Sequence, residues 1–300
     1  MLTPFTTDGK VDFNGLTQLT EFYLQAGASG LFANCLSSEM FELTVAERLA
    51  VTRHVVDVAK GAVPVVATAT FGGDIGAQAD FTKRIYDTGI DAAIAITNML
   101  AAADDADAVF EERVYQLLEQ TNGIPFGFYE CPEPFKRVLS ARQLGKFVAT
   151  GRVIYHKDTC LDIELVKAKL AAASDAPGFG LYDAYMVHAV ESLKAGAAGL
   201  SCIQGNYYPE LVVWLCRHYD EEAMAGQVAQ VQQFFIDHME VMHEVYPTVA
   251  KYFLQQRGLK ISTFTRRDVG LLDADAKAKL DGLNTAYQQL FEDIGVNMEA

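Results

Sequence analysis

Val153-Ile154-Tyr155-His156-Lys157-Asp158, followed after a short turn by the helix-period segment Leu161–Ala173, is one strand-then-helix unit, and its repetition along the chain decides the fold. The same pattern recurs outward in both directions. Strands are expected at Gly30–Cys35, Pro64–Thr70, Ala92–Thr97, Pro125–Cys131, Gly178–Asp183 and Gly199–Gly205, with a truncated one, Leu2–Phe5, at the start. Helical periodicity fills the intervals: Phe13–Ala26, Val45–Ala59, Ile75–Thr88, Ala106–Gln120, Ala141–Val148 and Ala184–Ala195. Thr44 with Glu47, ahead of Leu49 and Val51, has the form of a capping box. The strands are almost continuously apolar, as both-face burial demands, and an eightfold repeat predicts an α/β fold closed as a (β/α)₈ TIM barrel. A doubly wound sheet is the rival, but no strand leads into a GxGxxG turn.

After Gly205 only helices are expected: Pro209–His218, which completes the last unit, then Glu221–His243, Tyr246–Gln256 and Ala274–Ile294. This reading divides the chain into a barrel over residues 1–220 and a C-terminal helical appendage over 221–300.

Composition narrows the function. Half the residues are hydrophobic and 21% are charged, which suits a soluble domain with a large core. A net charge of −15 repels nucleic acid, and no basic run offsets it. Any anionic substrate must then be held by short-range neutral donors. Cys35, Cys131, Cys160, Cys202 and Cys216 show no CxxC spacing, which points to reduced thiols and a cytoplasmic location. Apolar stretches fall well short of the ~20 residues that cross a bilayer, so no membrane association is expected.

On this fold chemistry gathers at the C-terminal ends of strands. There Lys157 shares an alternation face with Tyr155 and Val153. A lysine desolvated in a barrel mouth is biased toward the neutral amine that attacks carbonyls. The alternative is a lysine that reaches the rim or pairs with Asp158 or Asp183. Tyr129 ends the neighbouring strand, where its phenol can relay protons or simply fill the interior. The turn Cys35-Leu36-Ser37-Ser38-Glu39 offers hydroxyls and N–H groups for a carboxylate, or is an ordinary polar loop. No histidine cluster suggests a metal, and no cofactor is expected.

These segments resemble the dihydrodipicolinate synthase / N-acetylneuraminate lyase family of class I, Schiff-base-forming aldolases, as a divergent member. Thr3-Pro4-Phe5 with Asp8-Gly9-Lys10-Val11-Asp12 is similar to the family's T-P-F…D-G-x-I-D opening. Cys35-Leu36-Ser37-Ser38-Glu39 falls at its G-[ST]-T-G-E, Phe128-Tyr129-Glu130-Cys131-Pro132 at its Y-N-x-P, and His156-Lys157-Asp158 at its imine-forming lysine. The resemblance implies that Lys157 forms the imine, Tyr129 relays protons, and Ser37 contacts the substrate carboxylate and links to Tyr129. Leu36 lacks a hydroxyl, so one carboxylate contact is either lost or moved to Ser38. Asn206, in Asn206-Tyr207-Tyr208-Pro209, matches the family's asparagine turn.

Three departures argue against authentic dihydrodipicolinate synthesis. Thr97-Asn98-Met99-Leu100 lacks the tyrosine that family synthases donate across a subunit interface, Pro134 stands where they have an arginine, and Glu130 replaces an asparagine. Glu130 either faces the substrate or pairs with Lys136 or Arg137. The implied activity is aldol cleavage or addition between a 2-oxo acid such as pyruvate and an aldehyde, without cofactor or metal, in a homo-oligomer (dimer or tetramer). The same imine could instead dehydrate a 2-oxo-3-deoxy sugar acid, and a barrel that only binds a 2-oxo acid is the non-catalytic alternative.

Overall fold

The computed structural model describes residues 1–295. Seven parallel strands pair in sequence order: β1 (Leu31–Ala33), β2 (Val65–Thr68), β3 (Ala92–Ile96), β4 (Phe126–Tyr129), β5 (Val153–Asp158), β6 (Gly180–Asp183) and β7 (Gly199–Leu200). The sheet is curled in the manner of a TIM barrel. Helices alternate with the strands: α1 (Phe13–Gln25), α2 (Val45–Ala59), α3 (Ile75–Tyr86), α4 (Asp107–Gln120), α5 (Ala141–Val148), α6 (Ile163–Ala172), α7 (Ala189–Lys194) and α8 (Pro209–His218). Four more follow: α9 (Ala225–Asp237), α10 (Met239–His243), α11 (Thr248–Gln256) and α12 (Ala274–Asp293). The last five residues of the expected appendage, 296–300, lie outside the described residues.

The expected capping box forms, with Thr44 Oγ1 accepting from Glu47 N and Glu47 Oε2 accepting from Thr44 N. Three expectations need correction. Leu2–Phe5 is not a sheet strand, since it makes only an antiparallel bridge from Phe5 to Val11. Pro4 has no N–H to give a ladder, and the turn closed by Thr6 N to Lys10 O reverses the chain at once. The helix expected over Glu221–His243 is interrupted at His238, where φ −107° and ψ 12° leave the helical region and separate α9 from α10.

The third correction concerns β5. Phe126 pairs with Val153 but Gly127 pairs with Tyr155, so Ile154 is a bulged extra residue. The bulge inverts the alternation below it. Val153 packs in the helix-side core with Phe126, Phe128 and Leu181, whereas Tyr155 packs in the interior cluster with Phe32, Ile94 and Tyr129. Lys157 therefore shares its face with Tyr155 but not with Val153. Gly127 is required at this point, because a Cβ there would lie 2.6 Å from Ile94 Cδ1 and 2.7 Å from Tyr155 Cβ.

Helix packing on the outer face fixes the strands. Phe128 of β4 meets Phe147 of α5 at a ring separation of 5.3 Å, and Phe147 also meets Phe110 of α4 at 6.0 Å. Each such fully buried phenylalanine contributes about 1.5–3 kcal/mol. Consecutive residues at the strand ends are thereby committed to opposite environments.

Candidate active site at the ends of β4 and β5

Tyr129 and Lys157 are register partners, so their side chains emerge side by side on the interior face. Lys157 Nζ lies 4.7 Å from the Tyr129 ring centroid and 5.6 Å from that of Phe32, and those two rings meet edge to face at 5.7 Å. The amine is buried to 8% exposure and, among the described residues, has no carboxylate within ion-pair distance. Both carboxylates that might have paired with it are engaged elsewhere. Asp158 Oδ2 binds Lys169 Nζ at 2.6 Å, and Asp183 Oδ2 lies 2.8 Å from His188 Nε2.

A cavity of about 550 Å³ opens in front of Lys157, between the free edges of β1 and β7. Cys35, Ser37, Tyr155, Ser201 and Asn206 line it near the amine. Tyr155 donates to Ser201 Oγ at 3.2 Å and stacks on Tyr182 at 4.7 Å, which makes one wall rigid. The other charged residues on the cavity wall, Asp91 and Arg217, belong to the opposite end: Asp91 immediately precedes β3, and Arg217 stands beside Gly27. Among the side chains that line the cavity, Ser37, Tyr155 and Ser201 offer hydroxyls and Asn206 an amide.

Burial pushes the Tyr129 phenol well above the ordinary tyrosine range, and nearby thiols reinforce it, so the phenol is protonated at neutral pH.

Ser37 sits in a 3-10 turn, Leu36–Ser38, that follows β1. Its Oγ is bonded to the hydroxyl of Tyr246 at 2.7 Å, so the recorded link runs to Tyr246 where the resemblance implied Tyr129. Ser38 turns inward: its Oγ accepts from Cys35 N at 3.0 Å and donates to Met1 O at 2.8 Å. It caps the turn, and its hydroxyl is spent there. Asn206 also acts indirectly, donating to Tyr246 Oη at 2.8 Å and accepting from Tyr23 at 2.7 Å.

Glu130 departs most from expectation. It is fully buried on the helix side of the sheet, where Oε1 binds Lys169 Nζ at 2.6 Å and Leu139 N at 2.9 Å, and Oε2 accepts from Thr159 N at 3.1 Å. Glu130 does not line the cavity, and it pairs with neither Lys136 nor Arg137. Lys136 donates to Thr159 O, and Arg137 to Ala102 O and Asp105 O. The reason is the pleat: Tyr129 faces the interior, so its successor cannot. His156 and Asp158 flank Lys157 in the same way, and His156 Nε2 lies 3.4 Å from both Glu130 Oε1 and Asp158 Oδ2. Glu130, His156 and Asp158 together have metal-ligand spacing, but the Lys169 ammonium from α6 already binds one oxygen of each carboxylate.

Tyr246 and Ser201 were not identified from sequence, whereas Tyr155 was placed on the face of Lys157 by alternation, as the structure has it. Tyr246 carries no local signal, since it lies 209 residues from the serine it binds.

Comparison with known proteins identifies the family. The profile of the "Dihydrodipicolinate synthetase family" matches residues 1–286. A 4-hydroxy-tetrahydrodipicolinate synthase of Cellvibrio japonicus is 24% identical over 263 residues, covering 86% of this chain and 87% of the relative. Among solved structures, a prophage protein of E. coli K12 from the dihydrodipicolinic acid synthase family, in complex with pyruvate, superposes with a TM-score of 0.85 at 23% identity over 96% of each chain. The chloride-inhibited dihydrodipicolinate synthase of Acinetobacter baumannii, also complexed with pyruvate, gives 0.82 at 21% identity over 99% of this chain and 97% of its own. With a profile match spanning nearly the whole sequence and the same fold in these relatives, the chain belongs to the dihydrodipicolinate synthetase family.

Proposed function

We propose that the protein is a class I lyase in which Lys157 forms a Schiff base with pyruvate or a related 2-oxo acid and catalyses aldol cleavage or addition with an aldehyde. The observation that carries this reading is the pairing pattern of the buried charges. Asp158 is held by the Lys169 ammonium, and Asp183 accepts from Tyr185 N and lies against the His188 ring, which leaves the Lys157 amine facing the cavity beside a protonated phenol. A lysine kept for structure would be expected to have a carboxylate partner at such burial.

The chemistry follows from these positions. The Lys157 amine attacks the 2-oxo carbon, giving a carbinolamine. Tyr129 donates a proton to the departing hydroxyl, water leaves, and a protonated imine remains. The Tyr129 phenolate left by that transfer takes the C4 hydroxyl proton as the cation draws the electrons of the C3–C4 bond, releasing an aldehyde and leaving an enamine; the phenol then protonates C3, and hydrolysis of the imine returns the lysine. Addition is the reverse. Because burial keeps the Tyr129 phenol protonated, it works as donor first and recovers its proton in the return step. The substrate carboxylate is held by the Ser37 hydroxyl and neighbouring N–H groups. That residues 1–220 carry the reacting groups, Lys157 and Tyr129, and that the chain acts as a homo-oligomer are parts of the same proposal.

Borohydride reduction in the presence of pyruvate should add one pyruvate-derived mass per chain, and Lys157→Ala should not take it up. An equal adduct in Lys157→Ala would refute the proposed site.

A further inference from the structure

A line of hydrogen bonds runs to the site from α1, through the segment after β7 and the connection between α10 and α11. Tyr23 donates to Asn206 Oδ1 at 2.7 Å, Asn206 Nδ2 donates to Tyr246 Oη at 2.8 Å, and Tyr246 donates to Ser37 Oγ at 2.7 Å. The chain has a fixed direction. A phenol must give its proton to an amide oxygen, so Asn206 presents its NH₂ group to Tyr246, and Tyr246 has then only Ser37 to donate to. The Ser37 proton is thereby left free to point into the cavity that Ser37 shares with Lys157.

Tyr246 is held firmly enough for such a role. Lys251, on α11 just after it, binds Glu39 Oε1 at 2.7 Å with both side chains fully buried. The N–H groups of Arg266 and Arg267 close on Glu39 Oε2 at 2.7 and 3.0 Å. Glu39 directly follows the turn that contains Ser37, so the segments flanking Tyr246 and Ser37 are tied together by buried charge.

We infer that Tyr246 is a positioning residue that orients the Ser37 hydroxyl toward the substrate, so that Tyr246 and Ser37 form a hydroxyl relay built from within the same chain. The inference rests on the Schiff-base reading above. It also accounts for Thr97-Asn98-Met99-Leu100, which supplies no tyrosine: the phenol arrives from this chain's own C-terminal extension and no second subunit need provide it.

The test needs only pyruvate. An enamine on Lys157 exchanges the pyruvate methyl protons with D₂O, which proton NMR follows as loss of the methyl signal. Tyr246→Phe should slow exchange at saturating pyruvate by roughly 10- to 100-fold, the cost of one hydrogen bond to a charged group. Ser37→Ala should slow it similarly, and the double variant should be no slower than the worse single, because the two hydroxyls act as one unit. Tyr246→Phe within about twofold of wild type, or effects that multiply in the double variant, would overturn the inference. If Tyr246→Phe does not fold, Ser37→Ala decides alone: slowed exchange supports the relay and unchanged exchange overturns it. Mixed Tyr246→Phe and Lys157→Ala chains should exchange no faster than the separate variants; recovery would show that the phenol comes from another subunit. Wild-type protein that neither exchanges nor traps pyruvate would defeat the Schiff-base reading itself, a result distinct from all of these.

Discussion

Lys157 and Lys169 are both buried, and they face opposite sides of the same pair of strands. Lys169 meets Glu130 and Asp158 at 2.6 Å each, with His156 at 3.4 Å from both carboxylates, so its charge is surrounded by compensating groups. Lys157 faces two aromatic rings and a cavity. The pleat of β4 and β5 separates the two: Tyr129 and Lys157 go in, while Glu130, His156 and Asp158 go out. A buried lysine with full charge partners is a structural element, whereas one without them is available to react. The outer cluster also fixes the ends of the strands from which Tyr129 and Lys157 project.

If this division is right, mutations on the two faces should fail in different ways. Lys157→Ala should produce the largest functional effect, abolishing pyruvate methyl exchange. Its urea-unfolding stability should change by less than about 1 kcal/mol, since no partner charge is stranded. A large loss of stability would assign Lys157 to the structural class. Tyr129→Phe should keep the fold and slow exchange by roughly 10²–10⁴-fold, the range of a positioned acid–base group. Exchange at the wild-type rate would reduce the phenol to packing.

Lys169→Met should reverse the pattern. It leaves Glu130 and Asp158 buried beside each other without their ammonium, and urea unfolding should show a loss of about 3–5 kcal/mol. An undiminished unfolding midpoint would mean that the outer cluster does not hold the strand ends.

How far the sequence reveals this division depends on the range of the signal. The strand-helix repeat, the Thr44 capping box and the adjacency of Tyr129 and Lys157 follow from local periodicity, and the structure contains all three. Glu130 was legible too, because residues adjacent on a strand cannot share a face, but its family position beside the tyrosine suggested a substrate contact instead. The Ile154 bulge could not be read, since it arises from pairing with β4 and from the space left by Gly127. Ser38 offered a hydroxyl of the right kind, and only the folded turn shows it capping Cys35 N. Tyr246 is joined to Ser37 by tertiary structure alone.

A smaller effect sharpens the same contrast through pH. Burial raises Glu130 and Asp158, but His156 and Lys169 outweigh it and hold both carboxylates below their ordinary range. Their folded values lie below the unfolded ones of about 4, so their contribution is complete above about pH 5 and is lost as pH falls further. His156 runs the other way. Burial lowers it, the two carboxylates raise it further, and its contribution, complete below about pH 6.5, declines as pH rises through the folded value. Glu130→Gln should flatten the acid limb of a melting-temperature profile and leave the preference between acidic and neutral aldehyde acceptors unchanged. A shifted preference would bring Glu130 back to the substrate.

If Lys157 is, among the described residues, the one buried lysine free to react, the position of the reduced pyruvate adduct shows it directly. After borohydride reduction with pyruvate, proteolysis and peptide mass mapping should place the added group on Lys157, with Lys169 and Lys251 unmodified. An adduct on Lys169 or Lys251, or none on Lys157 in folded protein saturated with pyruvate, would contradict it.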